Sequence, residues 1–200
     1  MPGSTSIFDV NKQLTFYGAY HNNKINILIH VICVPLIMWS AMVLLASAPR
    51  PSFLPEYHRE FNKGMVLELN YPTLLLVVYE TYYLILEPVA ALLYAPQFIL
   101  SLLTATAFAQ RADHLTVAIA MQTCSWIAQF LGHGVAEKRA PALLDNLIGA
   151  IVLAPFFVHL EILFAIGYRP DMHKRLVNDI GTEIARIKKI EGDKRRAKNQ

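Results

Sequence analysis

Charged residues in this chain fall in blocks, and the intervals between the blocks are long and apolar. No Asp, Glu, Lys or Arg occurs in residues 25–48, 88–110, 114–136 or 146–160. An uncharged apolar run of about 18 residues or more is long enough to cross ~30 Å of hydrocarbon as a helix. Helices also pair their own backbone groups, which lipid cannot do for them. A core helix of a soluble bundle would carry a polar face recurring about every 3.6 residues. Residues 27–45 offer only His30, Ser40 and the weakly polar Cys33 and Trp39. There is no wet face.

The boundaries follow from local chemistry. A first span is expected over residues 25–48, followed by the loop PRPSFLPEYHRE, whose prolines and mixed charges mark it as lying outside the membrane. A second apolar segment covers residues 71–86 and is interrupted by Glu80. Glu87-Pro88 is a helix boundary, because proline disfavours helical geometry in the residue before it. Residues 89–109 form the next span, with Pro96 a kink, and QRADH leads to another at 115–131. A last block covers 147–166 and contains Pro155. The expected fold is all-α, a polytopic transmembrane helical bundle with about five or six apolar segments. Five full crossings would put the termini on opposite sides. The basic residues Lys138 and Arg139 and the basic C-terminus all favour the cytosolic side. One segment, near Pro155 or Glu80, is therefore expected to be re-entrant, with both termini cytosolic.

Composition agrees: 54% of the residues are hydrophobic and 16% charged, where soluble domains run at about 25% charged. The polar start, MPGSTSIFDVNKQ, lacks the apolar stretch of a cleavable signal, so the first span is expected to act as an uncleaved targeting signal. Cys33 and Cys124 both fall in apolar runs and suggest no disulfide framework. The chain divides into a transmembrane catalytic domain, 1–170, and a tail, 171–200. From Tyr168 onward lie ten of the 18 basic residues against five acids. The spacing Ile180-Ile184-Ile187 predicts an amphipathic helix there, with DKRRAKNQ disordered. Such a tail fits an anionic membrane lipid surface, and nothing points to nucleic acid.

Candidate chemistry centres on histidine. Of seven, His21 and His30 flank the start of the first span and His133 ends the 115–131 span. Counting helices puts all three at one membrane surface. Nine residues on a straight helix rotate by roughly 180°, so His21 and His30 can share an ion only if the chain bends at Asn22-Asn23, residues suited to capping. His133 and Glu137 have i, i+4 spacing, although Gly132 and Gly134 favour ending the helix there. Imidazole suits several transition metals, and interfacial hydrogen bonding is the alternative role for each ring. His58, His114 and His173 are read as ordinary interfacial residues. His159, Glu161 and Glu80 are costly inside a span and so are functional candidates by default. Walker A, GxGxxG, HExxH and GxSxG motifs are missing.

The stretches FYGAYHNNKINILIHVICVPLIMW and WIAQFLGHGVAEKRAPALLDNLIGAIVLAPFFVHLEILFAIGYRP resemble the 2-hydroxy fatty acid dioxygenase family. These are endoplasmic reticulum membrane proteins whose fungal members act in fatty acid α-oxidation on the phytosphingosine degradation route. GHGVAEKRAPALLDNL is the specific part. The resemblance implies an Fe(II) enzyme that takes a long-chain 2-hydroxy fatty acid and O₂ and yields the acid one carbon shorter. It maps the family's metal-binding histidines onto His21, His30 and His133. It implies catalytic or supporting roles for Glu137, Asp145 and Asn146, and an acid at Glu161 but no histidine at 159. Lys24, Lys138 and Arg139 are candidates to pair with the substrate carboxylate. Two other classes stay open: a small transporter using Glu80, Glu161 and His159, and a membrane scaffold without chemistry.

Overall fold

The computed structural model of the chain describes residues 7–138 and 147–198. Seven α-helices dominate the described residues: α1 (Val10–Tyr20), α2 (Lys24–Ala46), α3 (Tyr71–Leu86), α4 (Pro88–Phe108), α5 (His114–Leu131), α6 (Leu147–Ala165) and α7 (Pro170–Lys198). A hairpin of β1 (His58–Asn62) and β2 (Met65–Glu68) lies between α2 and α3. The expected all-helical membrane bundle is what forms. Three helical stretches, α2, α4 and His114–Glu137, are long and apolar enough to cross a bilayer, and two shorter apolar helices join them.

Helices α2 to α5 form an up-down bundle. Gln122 Nε2 donates to the Ile37 carbonyl at 2.8 Å, and Asn26 meets Gly132, so α2 and α5 run antiparallel. Trp39 Nε1 donates to Thr104 Oγ1 at 3.0 Å, near the C-terminal ends of α2 and α4, which are therefore parallel. The two faces of α2 explain its setting. Asn26, His30, Cys33 and Val34 are buried, while Ile25, Leu28, Ile32 and Leu36 form an exposed stripe at helical spacing. Exposed apolar residues recur on α4 (Val89, Leu92, Leu93, Ile99, Leu100) and on α5 (Leu115, Ile119, Ile127, Phe130, Leu131), an extent of bare apolar surface that suits lipid.

α6 is tied to α3 at two points. Near its start the Val152 carbonyl accepts from Tyr83 Oη at 2.6 Å. Just past its end, Tyr168 Oη donates to Glu87 Oε1 at 3.1 Å and Arg169 Nη1 pairs with Glu87 Oε2 at 3.0 Å. Tyr83 and Glu87 stand one turn apart at the same end of α3, so both contacts fall near that end. The α6 residues Phe156, Phe157, Val158, His159 and Leu160 are all buried in succession, as a helix covered on every side requires. The covering is supplied by the bundle and by α1. The start of α2 and the end of α5 lie at the end of the bundle where α3 gives way to α4.

α7 docks on α1. Ile184 and Ile187 pack against Ala19 and Tyr20, and Met172 and Leu176 join the main core. A Cβ on Gly18 would lie 2.3 Å from Ile180 Cδ1, so the bare backbone of α1 makes this contact possible. Helix α7 continues to Lys198, beyond the start of the terminal stretch expected to be disordered. The hairpin also went unforeseen. Its register pairs His58 with Glu68, Asn62 Oδ1 accepts from Gly64 N in the turn, and buried Val66 seats it on the bundle.

Candidate metal centre

Three helix ends meet where α2 begins. α1 stops at Tyr20, His21 caps it, and Asn23 caps α2 by accepting from Ile25 N at 2.9 Å. The break lets His21 and His30 face one another. From the other side, α5 does not end at its glycines. It widens into a π-helical turn, Gly132–Glu137, closed by Lys138 in left-handed geometry (φ 54°). Such turns recur at functional sites because the extra residue re-aims side chains. Gly132 is needed at this crossing, since a Cβ there would lie 2.6 Å from Asn26 Oδ1 and 3.2 Å from Ile29 Cδ1.

The three rings converge. Centroid separations are 4.4 Å for His21 and His30, 4.7 Å for His21 and His133, and 5.0 Å for His30 and His133. One nitrogen from each lies within 4.8 Å of the others. Each residue is only 4% exposed, so hydration contributes almost nothing to satisfying these nitrogens.

Their hydrogen bonds sort the nitrogens. His21 Nδ1 donates to the Tyr17 carbonyl at 2.8 Å, and His30 Nδ1 donates to the Asn26 carbonyl at 2.9 Å. Each carbonyl lies four residues earlier, and each bond leaves Nε2 as the lone-pair nitrogen. Metal-ligating histidines are held by this second-nitrogen contact. His133 Nδ1 is buried with no partner among the described residues. Tyr17 stacks on His21 at 4.0 Å. Burial, with the neighbouring His30 and His133 imidazoles, holds His21 well below its ordinary pKa. It stays neutral at physiological pH, the state in which imidazole binds metal.

The donor set fits a metal ion. Nitrogens about 2.1 Å from a shared ion stand about 3.4 Å apart in tetrahedral geometry. Those here lie within 4.8 Å of one another, so the rings would close inward by up to about 1.4 Å around an ion. Three buried imidazoles suit iron, zinc, copper or nickel alike.

Glu137 is placed differently from the histidines. Its carboxylate accepts from Asn23 N at 2.9 Å, Asn22 N at 3.3 Å and Asn26 Nδ2 at 3.3 Å. Asn23 Nδ2 in turn donates to the Ala136 carbonyl at 3.0 Å. The acid clasps the bend that carries His21 and His30 to the turn that carries His133. Lys24 and Lys138 are exposed on the rim of the same end. Arg139, Asp145 and Asn146 lie outside the described residues.

A cavity of about 180 Å³ leads from the histidines into the bundle. Val34, Ile37, Met38 and Ala41 of α2 face Trp126, Gln129 and Phe130 of α5 across it, with Leu75 and Tyr79 of α3 and Ile151, Ala154 and Pro155 of α6 completing the wall. From His30 to Ala41 the depth is about 16 Å at 1.5 Å per residue. Phe130 and Ile151, which line it, are also exposed on the outer surface, so the cavity reaches that surface between α5 and α6. Neither Glu80, Glu161 nor His159 lines it. His159 Nε2 donates to the Ala90 carbonyl at 3.1 Å, and His58 bonds Glu68 in the hairpin at 2.9 Å.

A family model described as 2-hydroxy-palmitic acid dioxygenase Mpo1-like matches residues 7–166. The chain belongs to the Mpo1-like family. It is 36% identical over 176 residues to the 2-hydroxy-palmitic acid dioxygenase MPO1 of Saccharomyces cerevisiae, covering 87% of this chain and 91% of the yeast protein. No solved structure matches. The matched region in this Mpo1-like chain includes all three converging histidines and the whole cavity.

The residues that support this centre were only partly visible in the sequence. Gln129, which lines the cavity, was not singled out; nor was Asn26, which stands four residues before His30 on the same helix face and holds that ring through its carbonyl. That spacing was the available signal.

Proposed function

We propose that this protein is an Fe(II)-dependent dioxygenase that converts a long-chain 2-hydroxy fatty acid and O₂ to the acid one carbon shorter. The atoms balance when the lost carboxyl carbon leaves as carbon dioxide with one water, and no outside reductant is needed. The observation that carries the reading is the convergence of three buried imidazoles at the mouth of an apolar cavity. A transporter reading lacks support, because the intramembrane acids do not share that cavity. A scaffold would have no use for three imidazoles gathered out of water.

His21, His30 and His133 would hold the iron, which supplies O₂ activation when bound. The chain's own groups do the rest. The apolar wall takes the alkyl tail and excludes water, which strengthens every polar contact at the head group. Lys24 and Lys138 pair with the carboxylate at the rim, where a charge-assisted contact orients it, and Arg139 is a further candidate for that pairing from its place in the sequence. Tyr17 and Asn26 fix two rings through their carbonyls. Glu137 acts through the histidines it positions, and Asp145 remains a catalytic candidate from the family resemblance. The protein works in the endoplasmic reticulum membrane with both termini in the cytosol, and exposed Lys188, Lys189, Lys194, Arg195 and Arg196 meet anionic lipid.

The test uses full-length protein purified in detergent, loaded with Fe(II) without air, then given O₂ and 2-hydroxypalmitate. Pentadecanoate should form, and His133→Ala should form none while still inserting in the membrane. Absence of pentadecanoate from iron-loaded wild type, or unchanged turnover in the variant, refutes the assignment.

A further inference from the structure

Gln129 carries a feature that the metal site does not use. It lies on α5 one turn before His133 and is 7% exposed, and its amide nitrogen is buried without a hydrogen-bond partner among the described residues. It lines the cavity immediately inside the histidines. A buried amide donor is ordinarily satisfied, and each exception needs a reason. Next to it the wall is apolar: Trp126 and Phe130 on its own helix, Val34 and Ile37 across from it.

Depth decides what the amide would meet. From the end of the bundle inward, Lys24 and Lys138 come first and the histidines next. Gly132 meets Asn26 and Gln122 meets Ile37, so Gln129 stands level with His30 on the antiparallel α5. Its side chain leans deeper, toward the N-terminus of its helix, with hydrocarbon-like wall beyond. A fatty acid entering with its carboxylate at the rim presents the same order: carboxylate, then the carbon-2 substituent, then a bare alkyl tail. On the tail side of the carboxylate the one polar group is the 2-hydroxyl. We propose that Gln129 is the specificity residue that donates a hydrogen bond to the substrate's 2-hydroxyl oxygen, so that 2-hydroxy acids are chosen over unsubstituted ones. This rests on the fatty acid reading above and deepens it. The selection works mainly by rejection, because an unsubstituted acid would seal the amide in without a partner.

The experiment measures equilibrium binding of radiolabelled 2-hydroxypalmitate and palmitate to full-length protein in detergent. Wild type, Gln129→Leu and Gln129→Met are compared, both metal-free and metal-loaded, with metal content and thermal melting recorded for each. Wild type should prefer 2-hydroxypalmitate, and the variants should lose roughly tenfold of that preference, the factor one hydrogen bond carries. They should do so chiefly by binding palmitate better, with metal content unchanged. Melting should stay level or rise, because an unpaired buried amide has been removed. A preference retained in both variants overturns the role of Gln129 while leaving the enzyme reading intact, and so does a fall in melting temperature with the preference unaltered. Wild type that binds neither acid overturns both.

Discussion

Replacing Glu137 with Ala should loosen the metal site without touching a ligand. The carboxylate bonds Asn23 N at 2.9 Å and Asn26 Nδ2 at 3.3 Å, with two further 3.3 Å contacts to the exposed Asn22 N. In a capping box an acid reaches back to the N-cap amide of its own helix; here it comes from a residue 114 positions away. Hydrogen bonds to a charged group contribute about 1.5–3 kcal/mol each, less where water competes. Two effective bonds, partly replaced by water after truncation, give a loss of about 2–3 kcal/mol. If most of that energy preorganises the rings, metal affinity should fall between about tenfold and a hundredfold. Glu137→Gln keeps an acceptor for Asn23 and should lose much less. The assay is anaerobic Fe(II) titration of both variants in detergent, beside thermal melting. Wild-type affinity in Glu137→Ala would refute the clasp. Full affinity with abolished turnover in Glu137→Gln would instead place the carboxylate in the chemistry.

Gly132→Ala would set a Cβ about 0.8 Å inside ordinary contact with Asn26 Oδ1; overpacking of this kind costs about 1–3 kcal/mol, and metal affinity should fall at least fivefold by the same titration, with unchanged affinity contradicting the close crossing. Gly18→Ala should release α7, seen as faster limited proteolysis of the tail, and Ile180→Ala added to it should restore protection. In the metal-free protein, His21 is neutral when folded but takes a proton below about 6.5 when unfolded. The unfolded state therefore binds more protons in that range, and melting temperature should drop as pH falls below 6.5; a rise on acidification would contradict the buried neutral ring.

The long crossings were legible because their boundaries are chemical. Glu87-Pro88 breaks the chain where expected, and α5 stops within a residue or so of the anticipated end before turning π-helical. α6 could not be placed by composition alone, since a helix buried in protein and one bathed in lipid are equally apolar. Its path follows from partners such as Tyr83 and Ala90, which lie 69 residues away in the chain. The hairpin was hidden because HREFN and MVLE are short and the flanking prolines and charges read as plain loop. For the histidines, helical geometry demanded a bend at Asn22-Asn23, and the bend is there. The sequence held no sign of how Glu137 would be used, because its partners come from the opposite end of the chain.

The most direct measurement titrates Fe(II) into wild type and into the three single variants His21→Ala, His30→Ala and His133→Ala, with bound iron counted by elemental analysis. Wild type should bind one ion tightly, and each variant should lose most of that affinity while remaining folded in detergent. Iron retained at wild-type strength by any one of the three, or no tight binding by wild type, would contradict the account.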